Sequence, residues 1–253
     1  DYELSDRVNL PPNTTGKVPQ HIAIIMDGNN RWAKKRGVPG PIGHRAGADV
    51  VKPLMYACRD RGVNTLTLFA FSSENWQRPE TEVRALMALL SRYLRREIKE
   101  LAADGVRIRF IGRRDRLSPR IAKLLEQSEE ATQHNTEATL VLALDYGGRW
   151  DVSSAAASLA QDVADGRINA EDINEHLLSS RMSLADQPAP DLCIRTGGEW
   201  RLSNFLLWQF AYAELWFTNT LWPDFTVDEL DVAISHFSSR ERRYGGRPAE
   251  ASA

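Results

Sequence analysis

Five short apolar runs alternate with helical stretches along this chain, and this alternation restricts the possible fold more than any other feature. The runs are 21–26, 65–71, 106–111, 139–144 and 192–194, and each is rich in β-branched or aromatic residues. Continuous hydrophobicity of this kind is typical of strands that are covered on both faces. Repeated strand–helix units predict an α/β fold with a mostly parallel central sheet and helices on both faces.

The stretches between these runs have helical patterns. We expect helices over 44–60, 81–103, 151–164, 171–179 and 226–242. The longest carries an apolar stripe at helical spacing, which is typical of a helix packed on a core. Ser118 and Pro119 are the residue types of an N-cap and a first helical turn, and they predict one more helix. The stretch 184–190 contains two prolines and is expected to be a loop.

Composition limits the broad class of the protein. A hydrophobic fraction of 42% in 253 residues is sufficient for a large core. No linker divides the chain, so we expect one domain over 20–246 with loose tails at 1–19 and 247–253. The net charge of −2 disfavours nucleic acid as a partner. Two distant cysteines, Cys58 and Cys193, indicate buried thiols in a reducing compartment. Without an apolar run of transmembrane length or a signal peptide, a cytoplasmic location is expected.

Polar residues gather where four of the predicted strands end. These segments are 27–32, 72–78, 145–149 and 195–204, and they share arginine, glycine and small polar residues. Ligands of parallel sheets bind at this edge, where glycines let the backbone approach an anion and arginines bind phosphate through paired donors. The arginines are too many for one monophosphate and favour two polyanions, or one long one. They are Arg31, Arg78, Arg195 and Arg201.

Asp27 lies among these cations, and phosphate would repel it unless a metal ion bridged the two. Mg²⁺ is suited to this because it uses few protein carboxylates together with phosphate oxygens. Glu214 is a second candidate carboxylate. Simpler interpretations stay open: an ordinary tight turn at 27–29, a core or helix-start histidine at His44, a surface role for Glu214. The arginines between 107 and 120 are interpreted as a solvated face.

Several enzyme classes are disfavoured because the sequence lacks their motifs. It has no P-loop, no dinucleotide-binding glycine pattern, no Gly-x-Ser-x-Gly elbow and no His/Cys cluster for zinc. Tryptophan and phenylalanine are instead frequent near the polar strand ends, which favours a ligand with a charged head and an apolar tail. The helix 81–103 and the strand 65–71 could form the walls of a tunnel, in which the small Ala70 would leave space.

Five segments resemble the cis-prenyltransferases, most closely the bacterial undecaprenyl diphosphate synthases, in matching order from about 21 to 246. They read HIAIIMDGNNRWAKKRG, GHRAGADVV, TLFAFSSENWQRPETEV, LDYGGRWD and PDLCIRTGGEWRLSNFLLWQFAYAELWFT. The resemblance implies a Mg²⁺-dependent homodimer that condenses isopentenyl diphosphate repeatedly onto farnesyl diphosphate with Z double bonds. A long, undecaprenyl-type diphosphate for a cell-wall lipid carrier would be the product, released by transient contact with the membrane.

The resemblance also implies roles for individual residues. Asp27 matches the essential aspartate and Mg²⁺ ligand, with Glu214 as the other metal ligand. Asn75 matches a position associated with proton acceptance, but an amide is a poor base, so we expect it to orient another group. Gly28, Asn29, Asn30 and Arg31 match the loop for the allylic diphosphate, with Trp32 and His44 beside it. The remaining matches are a covering segment (Ser72, Ser73, Glu74, Trp76, Arg78), an isopentenyl diphosphate clamp (Arg195, Arg201, Leu202, Ser203) and a tail that crosses the dimer (Arg243, Gly245).

Three positions depart from the family pattern, and other functions stay open. Gly40 stands where the family often has a basic residue, and Trp200 stands where it commonly has histidine. Asp145 stands where it usually has asparagine, which would add a carboxylate near the site. A short-chain cis-prenyl diphosphate synthase is one alternative, which the small Ala70 and Ala138 disfavour. A non-catalytic partner subunit is another, although such proteins tend to lose the aspartate and the arginine clamp. A phosphate-binding hydrolase would lack a nucleophile.

Overall fold

The computed structural model describes residues 18–240. The predicted tail 247–253, most of the tail 1–19, and the proposed dimer-crossing residues Arg243 and Gly245 lie outside the described residues. Those expectations therefore remain predictions. Within 18–240, no helix combines the length and the hydrophobicity that are needed to cross a membrane.

Within residues 18–240 the central sheet has six strands, and all of them are parallel. They are β1 (His21–Ile25), β2 (Thr65–Ser72), β3 (Val106–Ile111), β4 (Ala138–Tyr146), β5 (Leu192–Arg195) and β6 (Glu214–Phe217). Their order across the sheet is β3-β4-β2-β1-β5-β6. The predicted α/β fold and its five strands are confirmed. The sequence did not indicate β6, because it follows a long apolar run without a turn signal and is a short, half-exposed edge strand.

Helices and short 3₁₀ turns connect the strands. The helices are α1 (Asn29–Lys35), α2 (Gly40–Asp60), α3 (Glu80–Ala103), α4 (Pro119–Thr132), α5 (Gly148–Ala164), α6 (Glu175–Ser179) and α7 (Val227–Ser238). The 3₁₀ turns are Ser73–Gln77, Ala170–Asp172 and Trp222–Asp224. Ser118 is the N-cap of α4, as predicted, and its side chain accepts from the Ile121 amide. The expected helix 171–179 is shorter, because the Asn174 side chain caps a new helix start at the Leu177 amide.

The sheet is buried on both faces by two separate cores. Ile22 and Ile24 of β1 point into the larger core, which α2, α3, α4 and α7 cover. Ala23 and Ile25 point to the opposite face, where Phe205 and other apolar residues after β5 pack. This alternation explains why β1 reads as one continuous apolar run.

Both cysteines are buried free thiols, as expected. Burial raises the pKa of Cys58 and of Cys193 to about 12, which keeps each thiol protonated and unreactive near neutral pH. Neither therefore belongs to the chemistry of the site.

Candidate active site

A polar pocket lies at the carboxyl edge of the sheet and has a volume of about 580 Å³. The segments that follow β1, β2 and β5 contribute its residues, so three of the four polar strand ends meet here. The lining residues are Ile25, Met26, Asp27, Phe69, Ser72, Glu74, Asn75, Arg78, Arg195, Arg201, Ser203 and Asn204.

The end of β4 supports this pocket from behind and does not line it. A side chain at Gly147 would come within 2.7 Å of both Ser73 Oγ and Asn204 Nδ2. The Gly148 amide donates to the Asn204 carbonyl at 2.6 Å. These glycines therefore let the segments after β2 and β5 approach each other, and their contribution is close packing.

Asp27 is held between two guanidinium groups. Its carboxylate lies 3.1 Å from Arg31 and 3.0 Å from Arg195. The Thr196 hydroxyl accepts from the Asp27 amide at 3.0 Å and donates to the Asp27 carbonyl at 2.8 Å, which fixes the backbone. Gly28 follows with φ 118°, and a Cβ there would lie 2.8 Å from Leu221, so this turn requires glycine.

Arg195 is the most deeply buried cation of the pocket, with 4% of its surface exposed. Besides the contact with Asp27, it donates to the Arg201 carbonyl at 2.5 Å and to Ser203 Oγ at 2.7 Å. Ser203 and Asn204 both have left-handed backbone conformations, with φ 49° and 65°. Non-glycine residues rarely adopt these angles, and such strain is frequent at ligand sites.

The 3₁₀ turn Ser73–Gln77 forms one side of the pocket. Asn75 Oδ1 accepts from the Ser72 amide at 3.0 Å, and the Ser72 side chain caps the Asn75 amide in return. Glu74 accepts from Asn204 at 2.9 Å, so the turn is also linked to the loop after β5. The side-chain oxygen of Asn75 is thus engaged by the Ser72 backbone amide, which favours a positioning role over proton acceptance.

Glu82 connects the covering segment to the loop after β1. Its carboxylate accepts from Arg78 at 3.0 Å and from Asn30 at 3.2 Å. His44 Nε2 lies 3.9 Å away, beyond hydrogen-bonding distance. Burial lowers the pKa of His44, and the charge of Arg78 lowers it further, so the imidazole is neutral near pH 7.

An apolar cavity of about 110 Å³ adjoins the polar pocket. It lies between α2, α3 and the sheet, and Met26 lines both spaces. Ala70 and α3 form walls, as the sequence predicted. The lining residues are Met26, Asn29, His44, Gly47, Ala48, Val51, Ala70, Phe71, Leu86, Met87, Leu89, Leu90, Tyr93, Leu142, Leu144 and Trp222. A pocket lined by arginines therefore lies next to a cavity lined mainly by apolar side chains.

Asn29 lies where α1 packs closely against α2. A Cβ at Gly43 would come within 2.1 Å of the Asn29 carbonyl, and one at Gly47 within 2.3 Å of Asn29 Oδ1. Among residues 18–240, Asn29 Oδ1 is buried without a hydrogen-bond partner. The Asn29 amide thus presents an unsatisfied polar atom at the apolar cavity.

Several predicted site residues do not line the polar pocket. Trp32 donates to Asp224 at 2.7 Å, and Arg36 stacks on its ring. Trp76 packs edge-on against Phe71, and Leu202 packs on the smaller core. These side chains support the walls rather than contact the space between them.

Glu214 and Asp27 are not brought together within one chain. Glu214 is the first residue of β6 and pairs with Leu192 at the start of β5, whereas Asp27 lies beyond the end of β1. Glu214 therefore lies at the amino ends of the strands, whereas Asp27 lies at their carboxyl ends. The Glu214 carboxylate is instead 3.5 Å from the Arg240 guanidinium. Spacing in the sequence could not show this, because the strand that begins at Glu214 was not recognised.

Two of the departures from the family pattern also do not line the pocket. Asp145 is fully buried and accepts from Arg116 through both carboxylate oxygens, so it adds no free carboxylate to the site. Arg116 therefore does not belong to a purely solvated face, which corrects the interpretation of that segment. Trp200 is 78% exposed and stacks on Phe217 of β6.

Sequence reasoning did not single out four residues that shape the site. Thr196 fixes the Asp27 backbone, Asn204 lines the polar pocket, Met26 lies at the junction of the two spaces and Tyr93 lines the apolar cavity. Thr196 and Asn204 stand inside the polar segment after β5, which was a usable signal. Met26 and Tyr93 resemble ordinary core residues in the sequence.

The residues of the polar pocket could hold a metal ion only together with a bound ligand that supplies most of the coordinating oxygens. Among the described residues, no group of three or more His, Cys, Asp or Glu side chains could hold a metal. Asp27 is the carboxylate surrounded by guanidinium groups. Glu74, the other carboxylate that lines the pocket, accepts from Asn204 instead. One carboxylate between phosphate-binding cations, here Asp27, is the donor set expected for Mg²⁺ that is bound mostly by phosphate oxygens and water.

Comparisons with known proteins agree with this arrangement. The family model for undecaprenyl diphosphate synthases matches residues 25–245. The chain is 54% identical to the (2E,6E)-farnesyl-diphosphate-specific ditrans,polycis-undecaprenyl-diphosphate synthase of Pseudomonas aeruginosa, over 90% of this chain and 91% of that protein. It is 50% identical to an isoprenyl transferase of Agrobacterium fabrum, over 93% and 96% of the two chains.

Solved structures show the same fold. Lavandulyl diphosphate synthase from Lavandula x intermedia, in complex with dimethylallyl diphosphate, superposes with a TM-score of 0.88 at 36% identity over 90% of this chain and 98% of that one. A probable undecaprenyl diphosphate synthase from Campylobacter jejuni superposes with a TM-score of 0.76 at 34% identity over 90% and 99%. The chain therefore belongs to the undecaprenyl diphosphate synthase family of cis-prenyltransferases.

Proposed function

We propose that this protein condenses isopentenyl diphosphate successively onto farnesyl diphosphate, forming Z double bonds and a long, undecaprenyl-type polyprenyl diphosphate. The observation that carries the proposal is the junction at Met26, where a pocket with three arginines opens beside an apolar cavity. A diphosphate head and a prenyl tail need this combination. Relatives that are half identical over nine-tenths of the chain carry the corresponding name.

The cationic pocket would stabilise the leaving group. As the allylic C–O bond breaks, charge develops on the departing diphosphate, and Arg31 and the buried Arg195 are preorganised near Asp27 to stabilise it. The double bond of isopentenyl diphosphate then forms the new C–C bond to the allylic carbon, and a proton is lost. Arg201 and Ser203 would hold the second diphosphate, so that both reacting carbons are aligned.

Asp27 is the residue that would bind Mg²⁺ together with diphosphate oxygens. When bound, the ion would neutralise charge on the diphosphate and so assist departure of that group. Glu214 is omitted from this metal site, because it lies at the other edge of the sheet in the same chain.

Proton loss needs a base near the new bond. Asn75 is excluded on chemical grounds, since an amide is a very weak base and its oxygen already accepts from the Ser72 amide. The diphosphate or Asp27 would accept the proton, and Asn75 would hold the covering turn in place.

The apolar cavity would receive the growing chain. Its present volume of about 110 Å³ holds little hydrocarbon, so elongation requires α3 to move outward. Leu86, Met87 and Leu90 of α3 are only partly buried against the core, which makes such a movement inexpensive. The small cavity is also the observation that supports the second candidate, a short-chain synthase, which would need no such movement.

A homodimer would form along the β6 edge. Among the described residues, β6 pairs with β5 on one side and with no strand on the other, and apolar side chains on and beside it are exposed, including Leu215 at 44% and Tyr212 at 72%. A hydrophobic sheet edge of this kind normally requires a partner. A second copy of the chain would cover it.

One assay tests the proposal. Purified protein is incubated with Mg²⁺, farnesyl diphosphate and labelled isopentenyl diphosphate, and the products are separated by chain length. Long polyprenyl products are expected. A single addition would instead support the short-chain synthase, and no product at all would support a non-catalytic partner subunit.

A further inference from the structure

A second, strongly cationic concavity lies outside the active site, between α3 and α4. We call it the arginine groove. Arg92, Arg95 and Arg96 of α3 and Arg120 of α4 form its sides, and Met87 and Ile121 contribute apolar surface. Its volume is about 580 Å³, comparable to that of the polar pocket.

The positive charge of the groove is largely uncompensated. None of its lining residues is acidic. Within residues 18–240, Arg92, Arg95 and Arg120 take part in no ion pair, and Arg96 contacts only Glu97 at 3.3 Å. The whole chain has a net charge of −2, so this concentration of cations is local and would attract an anionic surface.

The groove and the apolar cavity are both lined by residues of α3. Met87 of α3 lines both spaces. A partner on the groove would therefore lie against the helix that must move as the hydrocarbon chain grows. Aromatic side chains, on which nucleic-acid bases commonly stack, do not line the groove.

We propose that the arginine groove docks this protein on a membrane surface rich in anionic phospholipid headgroups. Arginine forks bind phosphate, and Met87 and Ile121 add apolar contact at the headgroup boundary. The choice of a lipid surface rests on the proposed function, because a polyprenyl product must leave the apolar cavity for a bilayer. Docking at α3 places the cavity wall next to that bilayer.

The groove stays accessible in the proposed dimer. α4 packs on β3, which is at the opposite end of the sheet from β6. A dimer along the β6 edge would therefore leave both grooves free, one in each copy.

Vesicle co-sedimentation of the full chain, without substrates, tests the proposal. Binding is expected to an equimolar mixture of phosphatidylcholine and phosphatidylglycerol, and not to phosphatidylcholine alone. Each basic residue near an anionic surface strengthens partitioning about fivefold, so Arg92→Gln/Arg95→Gln should weaken binding about 25-fold. High salt should weaken the binding of the unmodified protein as well.

Matched variants separate this effect from general loss of charge or of folding. Arg59→Gln/Arg107→Gln also removes two charges, but at the end of α2 and on the opposite face of β3, and should bind vesicles as the unmodified chain does. Arg96→Gln/Arg120→Gln, with its changes on two helices, should reproduce the loss if the first variant folds poorly.

Any of the following results would overturn the proposal: no binding of the unmodified chain to the mixed vesicles at low salt, equal binding to both vesicle types, undiminished binding of both groove variants, or loss of affinity in the control variant. Preferential binding of an RNA oligonucleotide that depends on the groove would reassign it to nucleic acid and would equally reject the lipid surface. Because no substrate is present, failure here is distinct from failure of the prenyltransferase assay.

Discussion

Arg195 illustrates how one buried cation organises the site. An inaccessible guanidinium must be satisfied by nearby acceptors, because burying an unpaired charge is very costly. Arg195 finds them in Asp27, Ser203 and the Arg201 carbonyl, and its own Nε has no partner among the described residues. These contacts fix the positions of segments from β1 and β5 before any ligand binds, so part of the ordering cost is met during folding.

Asp27 and Glu214 make opposite predictions for metal dependence. Asp27→Asn keeps the shape of the side chain but removes its charge, and kcat should fall about 100- to 1000-fold. Glu214→Gln should leave unchanged the Mg²⁺ concentration that gives half-maximal rate, because Glu214 is at the other edge of the sheet. Steady-state rates over a Mg²⁺ titration measure both. If the Mg²⁺ concentration for half-maximal rate shifted equally in the two variants, Glu214 would reach the site from a second copy of the chain.

The Arg116–Asp145 pair has a structural role. Asp145 is fully buried with φ 49°, a backbone conformation that aspartate and asparagine tolerate better than most residues. The guanidinium of Arg116 lies 5.7 Å from the Trp76 ring centre, so the pair also supports the turn over the polar pocket. By holding Arg116 in place, the Asp145 carboxylate thus helps to support the turn that forms one side of the polar pocket.

Two substitutions at Asp145 should differ in cost. Asp145→Ala leaves Arg116 without its acceptor and adds backbone strain, and should lower the free energy of unfolding by about 3 kcal/mol. Asp145→Asn keeps a hydrogen bond and the backbone preference, and should cost about 1 kcal/mol. Urea unfolding measures both. Equal losses would show that charge, rather than conformation and hydrogen bonding, dominates.

His21 predicts how stability depends on pH. Burial lowers its pKa from 6.5 to about 4, while its ring nitrogens bond to the Pro188 carbonyl and to Thr67 Oγ1, both at 2.7 Å. Between these two values the unfolded chain binds a proton that the folded chain does not. The contribution of His21 to the free energy of unfolding is therefore fully present above pH 6.5. It should fall by about 3 kcal/mol as the pH decreases to 4.

Unfolding free energies at pH 7 and pH 4.5 check this prediction. His21→Asn should be less stable at pH 7, because it loses the ring contacts, but the difference between the two pH values should shrink. His44 contributes to the remaining difference, since burial lowers its pKa as well. An undiminished pH dependence in the variant would contradict the assignment to His21.

At the scale of elements, α3 contributes several residues to the wall of the apolar cavity, so we expect it to influence product length. Its first half faces the apolar cavity with partly buried Leu86, Met87 and Leu90, whereas Leu94 and Leu101 further along are fully packed. α2 and α3 both begin near the polar pocket and lead away from it. Val51 and Tyr93 are the last residues of α2 and α3 that line the apolar cavity, so they lie farthest from the polar pocket. The Tyr93 hydroxyl is buried without a partner in the described part of the chain.

Ala70 lines the apolar cavity that is proposed to receive the growing chain. Ala70→Leu places a larger side chain in the apolar cavity, so the products should become shorter while the first condensation persists. Ala103→Leu, at the exposed end of α3, makes the same change outside the cavity and should leave the product lengths unaltered. Chromatography of labelled products distinguishes the two. Unchanged products from Ala70→Leu would mean that the chain follows another path.

For the whole molecule, the exposed β6 edge predicts self-association. Leu215→Lys places a charge on this strand and should shift the protein from dimer to monomer, because a desolvated lysine without a partner opposes pairing. Ile173→Lys makes the same change at another exposed apolar residue and serves as the control. Sedimentation equilibrium measures the association. A dimer that survives Leu215→Lys unchanged would place the interface elsewhere.

The sequence by itself determined the local features of this protein. Continuous apolar runs specified five buried strands, and the polar residues after them marked the edge where Asp27, Arg78, Arg195 and Arg201 meet. Such patterns are readable because strand burial and turn chemistry depend on neighbouring residues. Most of the polar pocket was predictable for this reason.

Only the tertiary structure decided which of these features act together. The order of strands in the sheet, the edge position of β6 and the separation of Glu214 from Asp27 arise from pairing between distant segments. The same holds for Asp145, whose partner Arg116 comes from another strand–helix connection. Contacts between residues far apart in sequence leave no local pattern, because their geometry is set by how the sheet and helices pack.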